Sequence, residues 1–370
     1  MSEQHYYQAP RGNWPQTLAI LSLLALAGIA LAIYQYHQHS RVILSAGNEL
    51  TQRIHQQISN HLLATYEAPR QALVLLQHDV LMNTSILAQR RPHLHKLASV
   101  LQHNPQLNSI YIGWPDGDYM MLRPLHSLTL RERFQAPEGS VWQLWHISHE
   151  NGRREVIHEF YTADMRLLAS GPVDDENYDP RKRIWYQQAL QQDGVVITPP
   201  YVFFSTSEYG TTLALAGRQQ QVIAADVTLH NLSATLQQAR LTDTSEMVIY
   251  DQQGTVLAYH EPQRMLGTTQ SGQQRLRRLD ELGSTLLAAF AERDIYTEMI
   301  GSLVLEGRVW QVTRHRLQSE RFPDAWLAVL VPQNELLAEA YRVRFESVLA
   351  TLLITLLLLP VAWGISRMRG

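Results

Sequence analysis

The chain has 370 residues, a formal net charge of -3 and 45% hydrophobic residues, which at roughly 100–200 residues per domain predicts two or three globular units. Lysine occurs only as Lys96 and Lys182, and the other basic groups are scattered arginines, which argues against a nucleic-acid-binding groove. Without cysteine, the chain has no disulfide, thiolate zinc site, cysteine nucleophile or lipoprotein anchor. Its mean hydropathy of -0.20 is too low for a transporter with many spans, so any membrane part must be local.

Two uncharged segments predict membrane-spanning helices. Thr17–Ile33 is flanked by aromatic residues, and Ser347–Ser366 lies between arginines. Each approaches the roughly 20 residues that cross a hydrocarbon core. The first segment could instead be a cleaved signal peptide, but it is longer than the usual h-region of about 7–15 residues and its basic n-region is weak, which favours an uncleaved span. Two spans place both termini on the same side of the membrane, and Arg11, Arg367 and Arg369 indicate that this side is the cytoplasm.

The segment after the first span predicts a long helix. Apolar residues recur at helical spacing from Val42 to Leu63 and again from Leu73 to Leu81, which gives an amphipathic stripe. We expect a kink or a break near Ala68, because proline follows it. The helix would form a stalk whose stripe pairs with a second copy, packs on its own domain, or does both along different turns.

Two predicted hairpins open the first α/β unit. Apolar runs flank Asp116-Gly117, a strong hairpin signal. A second pair of runs, Val141–Ile147 and Val156–Tyr161, flanks a predicted turn at Asn151-Gly152. This part of the chain is therefore expected to be rich in antiparallel strands.

A helix and four short strands complete the first unit. Asp179-Pro180 predicts a helix through Leu190, because proline fits the first helical turn. The strands predicted after it are Val195–Thr198, Tyr201–Phe204, Thr211–Leu215 and Val222–Val227.

A second unit repeats the scheme from Ser245 onward. Apolar strands flank a turn that ends in Gly254, and a helix is predicted at Arg275–Arg293. From Asn334 another helix would run into the second span. The shared order of strand, glycine turn and strand indicates an internal structural repeat. The strands predicted in this unit are Met247–Tyr250, Thr255–Tyr259, Met299–Leu305, Val309–His315 and Trp326–Val331.

One motif identifies a family resemblance. Residues 178–186 read Tyr-Asp-Pro-Arg-Lys-Arg-Ile-Trp-Tyr, followed by a Pro200-Tyr201 strand and an Ala225-Asp226-Val227 strand end. Together they resemble the double Cache (dCache) sensor domains of bacterial transmembrane receptors, over roughly residues 37–345. The resemblance implies an α+β fold, with a long N-terminal helix and two PAS-like α/β modules with antiparallel sheets, bracketed by two transmembrane helices.

The spans and the resemblance together predict the organisation of the chain. Residues 37–346 would be periplasmic or extracellular, and the protein would lie in the bacterial inner membrane. The predicted segments are a cytoplasmic tail (1–14), transmembrane helix 1 (15–36), a stalk helix (37–90), a membrane-distal Cache module (91–240), a membrane-proximal Cache module (241–333), a juxtamembrane helix (334–346), transmembrane helix 2 (347–366) and a cytoplasmic stub (367–370).

The resemblance also implies a ligand site in the distal module. Amino-acid-binding members carry a tyrosine, an arginine five residues later, then x-Trp-Tyr, a strand tyrosine and a later aspartate. A guanidinium can hold an α-carboxylate bidentately, a carboxylate can receive the ammonium, and aromatic walls attract the same ammonium. Arg183 and Asp226 could also pair with each other, and Trp185 and Tyr186 could be ordinary core. The corresponding residues are Tyr178, Arg183, Trp185, Tyr186, Tyr201 and Asp226.

One wall position departs from the family pattern. Some amino-acid binders have a carboxylate or another polar group two residues beyond the strand tyrosine, where this chain has Phe203. We therefore expect a more apolar pocket for the side chain of the ligand, or a different ligand.

No metal, cofactor or catalytic site is predicted. Neighbouring histidines such as His146 and His149 lack a third ligand at a zinc-like spacing, and Asp116 and Asp118 do not match a calcium loop. We expect these residues to lie in solvated loops and turns. Without a catalytic motif or an acid–base pair, the chain is not expected to be an enzyme.

These features predict the ligand-sensing region of a bacterial signal-transduction receptor. A homodimer would bind an amino acid or related amine and relay a conformational change to a cytoplasmic output domain or partner protein, without nucleic acid. Leu359-Pro360 followed by Arg367 resembles the start of a HAMP linker, which predicts a longer protein; alternatively, a partner membrane protein reads the helix. The rival function is a non-sensory envelope scaffold or assembly protein whose Cache-like domain binds a protein.

Overall fold

The computed structural model describes residues 14–149, 153–173, 178–206, 208–270, 272, 274–293, 295–319 and 322–368. The predicted tail before Trp14, the Asn151-Gly152 turn and the last two residues of the predicted stub lie outside the described residues. The chain divides into two compact units, one comprising Met1–Gln52, Ser302–Gln311 and Val331–Gly370, and the other Arg53–Gly301 and Val312–Leu330.

Helices and strands alternate along the described chain. The α-helices are α1 (Trp14–Leu76), α2 (Leu87–Arg90), α3 (Leu94–His103), α4 (Leu128–Arg133), α5 (Ile184–Gln191), α6 (His230–Gln238), α7 (Thr285–Ala291), α8 (Gln333–Leu336) and α9 (Ala338–Met368). The strands are β1 (Leu107–Gly113), β2 (Tyr119–Pro124), β3 (Trp142–Ser148), β4 (Glu155–Tyr161), β5 (Leu167–Pro172), β6 (Val196–Ile197), β7 (Tyr201–Val202), β8 (Tyr209–Ala216), β9 (Val222–Thr228), β10 (Glu246–Asp251), β11 (Val256–Tyr259), β12 (Leu266–Thr268), β13 (Gln274–Leu276), β14 (Met299–Leu305), β15 (Arg308–Ser319) and β16 (Phe322–Pro332).

The strands form two large sheets and one separate hairpin. The first sheet has the order β5-β4-β3-β2-β1-β9-β8-β6, with β7 on β8, and the second has the order β11-β10-β16-β15-β14. Strands β12 and β13 pair only with each other. We call β1–β9 with α3–α5 the first module, and β10–β16 with α7 the second module.

The two sheets confirm the predicted internal repeat. In the first sheet the opening hairpin β1–β2 pairs with the closing strand β9, and in the second the hairpin β10–β11 pairs with β16, all antiparallel. The order β2-β1-β9-β8 is thereby repeated as β11-β10-β16-β15. Strands β3, β4 and β5 extend the first sheet alone.

The glycine turns of both opening hairpins are confirmed. Gly117 has a φ of +96° and Gly254 a φ of +77°, the left-handed region that glycine enters at little cost. An aspartate side chain supports each turn: Asp116 Oδ1 accepts the amide of Asp118 at 3.0 Å, and Asp251 Oδ1 accepts that of Gln253 at 2.8 Å. The local sequence therefore determines both turns.

Helix α1 runs through Pro69, so of the kink or break predicted near Ala68, the break does not occur. Proline removes the amide that would bond to the carbonyl four residues earlier. That carbonyl, of Thr65, accepts instead from the side chain of Gln106 at 3.4 Å. Ile58 and Leu62 bury the apolar stripe of the helix, and Tyr66 Oη hydrogen-bonds to Thr211 Oγ1 on β8 at 2.8 Å. Tertiary contacts thus accompany a helix that continues through a residue that disfavours it.

Two other predicted helices are shorter than expected. The helix from Asp179 to Leu190 is a 3-10 turn at Pro180–Lys182, then an extended Arg183, then α5. The helix predicted at Arg275–Arg293 is limited to α7, because Gly283 has a φ of +76° and Ser284 Oγ caps a new helix by accepting the amide of Leu287 at 3.2 Å.

A buried ionic cluster replaces the solvated turn and loop that were predicted around Asp118 and His146. Arg90 Nη1 donates to Asp118 Oδ2 and to His146 Nε2, both at 2.9 Å, and all three side chains are buried. Burial, and then the neighbouring Arg90, lower the pKa of His146 to about 3, so its neutral ring accepts this bond. The prediction was wrong because strand pairing carries these polar residues inside.

Among the described helices, one segment is long and apolar enough to cross a membrane. It is Ala338–Pro360, with a mean hydropathy of 1.8, and it overlaps the predicted second span. The first uncharged segment lies inside α1. The two-pass arrangement and the predicted domain boundaries stay predictions.

Candidate ligand-binding site

The first module contains a cavity of about 610 Å³, within the range of small-molecule sites. Tyr111, Tyr119 and Trp145 form its floor on β1, β2 and β3, and Trp185 of α5 contributes to the opposite wall. Gly113 allows that helix to lie close, since a Cβ there would stand 3.0 Å from Trp185 Cη2. The cavity therefore lies between the sheet and α5.

Five of the six predicted site residues line this cavity. They come from three separate segments of the chain, and the fold brings them together: Tyr178, Arg183, Trp185, Tyr201 and Asp226. The sixth, Tyr186, is buried in the adjoining core, and its hydroxyl donates to the carbonyl of Gln220 at 2.6 Å. Tyr186 is thus placed to hold α5 on the sheet.

Asp226 is a buried carboxylate surrounded by hydroxyl donors. Asp226 is only 5% exposed to solvent. Oδ1 accepts from Tyr111 Oη and Thr212 Oγ1, both at 2.6 Å, and Oδ2 accepts from Ser109 Oγ at 3.0 Å. Burial raises the pKa of Asp226, and these three hydrogen bonds oppose the increase. Oδ2 has the greater remaining capacity to accept, so an ammonium would add one bond there.

A buried cation lies on the same face of the sheet. Arg123 is two residues along β2 from the cavity-lining Met121, and its Nη2 donates to Met121 Sδ at 2.9 Å. Its guanidinium also lies 4.6 Å from the centroid of Phe134. Burial lowers the pKa of Arg123 to about 10, so it stays charged at neutral pH. Its charge lowers the pKa of Asp226 and favours the ionised carboxylate.

Arg183 stands at the mouth of the cavity on extended backbone, with φ -87° and ψ 145°. Its guanidinium packs 4.5 Å from the centroid of Tyr178 and 4.9 Å from that of Phe204. Phe204 is 57% exposed, which marks the mouth. Within the described part of the chain, no carboxylate pairs with Arg183. Arg183 and Asp226 therefore do not neutralise each other.

The aromatic walls are neutral and partly polar. Burial raises the pKa of Tyr178 to about 12 and those of Tyr111 and Tyr201 well above the ordinary value. Tyr201 Oη hydrogen-bonds to Thr212 Oγ1 at 2.6 Å, so this wall joins the hydroxyl network around Asp226. These phenols supply ring faces and O–H groups without adding charge.

Phe203 lines the cavity beside Tyr201, as its position in the sequence predicted. The two rings meet edge to face at 5.4 Å. Gly210 on β8 makes room for Phe203, because a Cβ at Gly210 would lie 2.6 Å from Phe203 Cζ. The wall at this position is therefore apolar.

The residues that form the floor of the cavity were not predicted from the sequence. Tyr111, Tyr119, Met121 and Trp145 line it, and their strands alternate inward and outward with a period of two. The available signal was an aromatic residue on each of the three predicted strands that supply Tyr111, Tyr119 and Trp145. Gln274, which also lines the cavity, comes from β13, after the predicted module boundary.

Comparisons with known proteins agree with this architecture. No family model matches the chain. The chain is 27% identical over 168 residues to adenylate cyclase 1 of Rhizobium meliloti, covering 45% of this chain and 25% of that protein. It is 26% identical over 159 residues to the methyl-accepting chemotaxis protein PctB of Pseudomonas aeruginosa, covering 40% and 22%. The matches thus span about a quarter or less of these relatives.

A solved structure shows the same fold. The sensory domain of the Campylobacter jejuni chemoreceptor Tlp3, solved with isoleucine bound, aligns with a TM-score of 0.50 at 10% identity, over 82% of this chain and 98% of that domain. The predicted resemblance to dCache-type sensor domains is confirmed in the fold. The scaffold alternative is not favoured by these relatives.

Proposed function

We propose that this chain is the ligand-sensing region of a membrane-anchored signal-transduction receptor, and that its first module binds an α-amino acid or a related amine. The observation that carries the proposal is the polarity of the cavity. A cation without a described carboxylate partner, Arg183, stands at the mouth, while the buried carboxylate of Asp226 lies at the floor. A zwitterion can satisfy both charges at once.

In this proposal each end of the ligand has its own partner in the cavity. The ammonium would bond to Asp226 Oδ2 among the rings of Tyr111 and Tyr201, which also attract it by cation–π interaction. The α-carboxylate would meet the guanidinium of Arg183, which offers two parallel donors. Because Phe203 is apolar, we propose an aliphatic or small side chain for the ligand rather than an acidic one.

Ligand binding would be relayed through the membrane helices to a cytoplasmic output domain or partner. The relatives named above include a cyclase and a chemotaxis protein, which supports a receptor without identifying its output. A bound ligand shifts a receptor only by its different affinity for two states. We further propose that the chain acts as a homodimer in the inner membrane.

The test is a thermal-shift screen of the full chain in detergent micelles against the twenty L-amino acids and simple amines, with Arg183→Ala and Asp226→Asn measured in parallel. A ligand at 100 times its Kd should stabilise the chain by about 2.7 kcal/mol. We expect a shift with an α-amino acid that both variants abolish.

The other outcomes are distinct. A shift with an amine that Asp226→Asn abolishes and Arg183→Ala leaves intact would assign an amine ligand instead. No shift with any of these compounds in a folded chain would contradict small-molecule sensing and support a protein ligand.

A further inference from the structure

One strand pair that follows the second module's opening hairpin reaches the cavity of the first. Strands β12 and β13 pair antiparallel with Thr268 opposite Gln274 and Leu266 opposite Leu276. β13 lies against β7, the strand that carries Tyr201. Gln274, at the tip end of β13, lines the cavity. The site of the first module is thus completed by chain that belongs to the second.

The base of this hairpin is fixed to the first module. Met265, which directly precedes β12, is fully buried. Its Sδ accepts hydrogen bonds from Tyr209 Oη at 3.5 Å and from Ser233 Oγ at 3.6 Å. Tyr209 pairs with Val202 on the neighbouring strand β7. A displacement of β7 would therefore alter contacts of the hairpin both at Gln274, at its tip, and at Met265, at its base.

The other side of the hairpin is bonded to the second sheet. The amide of Arg277 donates to the carbonyl of Met265 at 2.8 Å, and the carbonyl of Arg277 accepts from the amide of Val256 on β11 at 2.9 Å. The amide of Leu279 donates to the carbonyl of Gly254 at 3.0 Å. Arg277, which is hydrogen-bonded to the second sheet, therefore lies only three positions after the cavity-lining Gln274.

We propose that the β12–β13 hairpin is a ligand-sensing element: Gln274 contacts the occupant of the cavity, and the hairpin transmits occupancy to strand β11 of the second module. This inference rests on the proposed function, since it takes the cavity as the ligand site. The amide of Gln274 can donate and accept, so it suits the carboxylate end of a zwitterion at the mouth. The main-chain hydrogen bonds of Arg277 would transmit the change from the hairpin to β11. Exposed ion pairs near the hairpin would add little, because such pairs contribute little free energy.

The experiment fills the cavity without the natural ligand. The chain has no cysteine, so Ser205→Cys, at a cavity-lining position, creates one site for labelling with benzyl methanethiosulfonate. Ser99→Cys, on the exposed side of α3, is the control label. Hydrogen exchange of the full chain in detergent micelles is then followed in peptides that cover 262–276 and 254–259.

We expect the label at Ser205→Cys, and not at Ser99→Cys, to slow exchange in both peptides by about fivefold or more, the lower range of coupling between sites. Adding Gln274→Ala should abolish the slowing in both. Slowing confined to 262–276 would make the hairpin a cover without transmission and would overturn the proposal. So would an unchanged response in the Gln274→Ala background, or no slowing in either peptide.

This outcome is separable from that of the amino-acid screen. The covalent label occupies the cavity whatever the natural ligand is. Failure of every amino acid and amine to bind, together with slowing by the label, would reject the proposed function alone. Binding of an amino acid without any response of 254–259 to the label would reject the hairpin alone.

Discussion

The two modules repeat one strand order but differ in what lies between the sheet and the helix that covers it. In the first, the space between sheet and helix is a cavity of about 610 Å³ with Asp226 at its floor. In the second, Leu286, Leu287 and Phe290 of α7 are buried, and Phe290 packs edge to face on Tyr250 at 6.2 Å. Strand order therefore does not specify a binding site; the side chains on the covered face do.

Each module also has a carboxylate, buried in the first and half-buried in the second, that accepts hydrogen bonds from hydroxyl groups. Asp226 has Ser109, Tyr111 and Thr212 as donors. Glu246 accepts from Tyr259 Oη at 2.9 Å and from Ser284 Oγ at 2.6 Å. Burial raises the pKa of both groups. Asp226 faces the cavity, whereas Glu246 joins strand β10 to the N-cap of α7. A carboxylate that accepts from hydroxyl groups is therefore placed for ligand recognition in the first module and for packing in the second.

The largest effect should come from the filled core of the second module. Phe290→Ala removes a buried ring and leaves a cavity, which should lower the free energy of unfolding by about 3–5 kcal/mol. Denaturant titration measures this loss. Trp185→Ala in the first module is the matched comparison, and we expect it to lose both stability and ligand affinity. If Phe290→Ala abolished binding in a folded chain, the second module would also be needed for binding, which would contradict its purely structural core.

The next effect isolates the charge of the cavity floor. Asp226→Asn should weaken binding of the amino acid found in the screen by about 2–5 kcal/mol, because the ammonium loses its buried partner. The free energy of unfolding should change little, since burial of that charge itself opposes folding. Isothermal titration measures the affinity, and Glu246→Gln is the matched control that should leave it unchanged. Equal losses in both variants would show that neither carboxylate contacts the ligand.

The raised pKa values predict opposite effects of pH on stability and on affinity. A carboxyl group whose pKa is raised by folding stabilises the fold when protonated, and this stabilisation is lost as the pH rises through the raised pKa. Acidification from neutral pH toward 3.8, the ordinary value for aspartate, should therefore add stability from Asp226 while ligand affinity falls, by up to about tenfold per pH unit. Affinity measured across this range should lose its pH dependence in Asp226→Asn and keep it in Glu246→Gln.

The smallest effect concerns Tyr186, which the family pattern assigned to the ligand. Its hydroxyl donates to Gln220 in the structure. Tyr186→Phe should therefore cost about 0.5–1.5 kcal/mol of stability, the usual net value of one hydrogen bond, and leave affinity within about twofold. Thermal denaturation and titration of the same sample separate the two. Tyr201→Phe is the comparison in the cavity wall. A larger loss of affinity in Tyr186→Phe than in Tyr201→Phe would show that Tyr186 contributes to ligand binding.

Local patterns were sufficient for much of this molecule. Apolar runs on either side of glycine turns identified both opening hairpins, because a turn depends on its own backbone conformation. The spacing from Tyr178 through Arg183 to Trp185 identified one wall of the site, since those residues lie on one short segment. The repeat was visible in the sequence for the same reason: each copy begins with a local hairpin.

Only the tertiary structure decided the rest, because the deciding contacts join residues that are distant in sequence. Helix α1 continues through Pro69 since Gln106 supplies a donor to Thr65, which no local window contains. Asp118 and His146 are buried because strand pairing brings them to Arg90. The floor of the cavity and the reach of Gln274 across the predicted boundary follow from strand register and from the packing of β13 on β7. The sequence determined which residues could recognise a zwitterion, and long-range packing decided which of them face the same cavity.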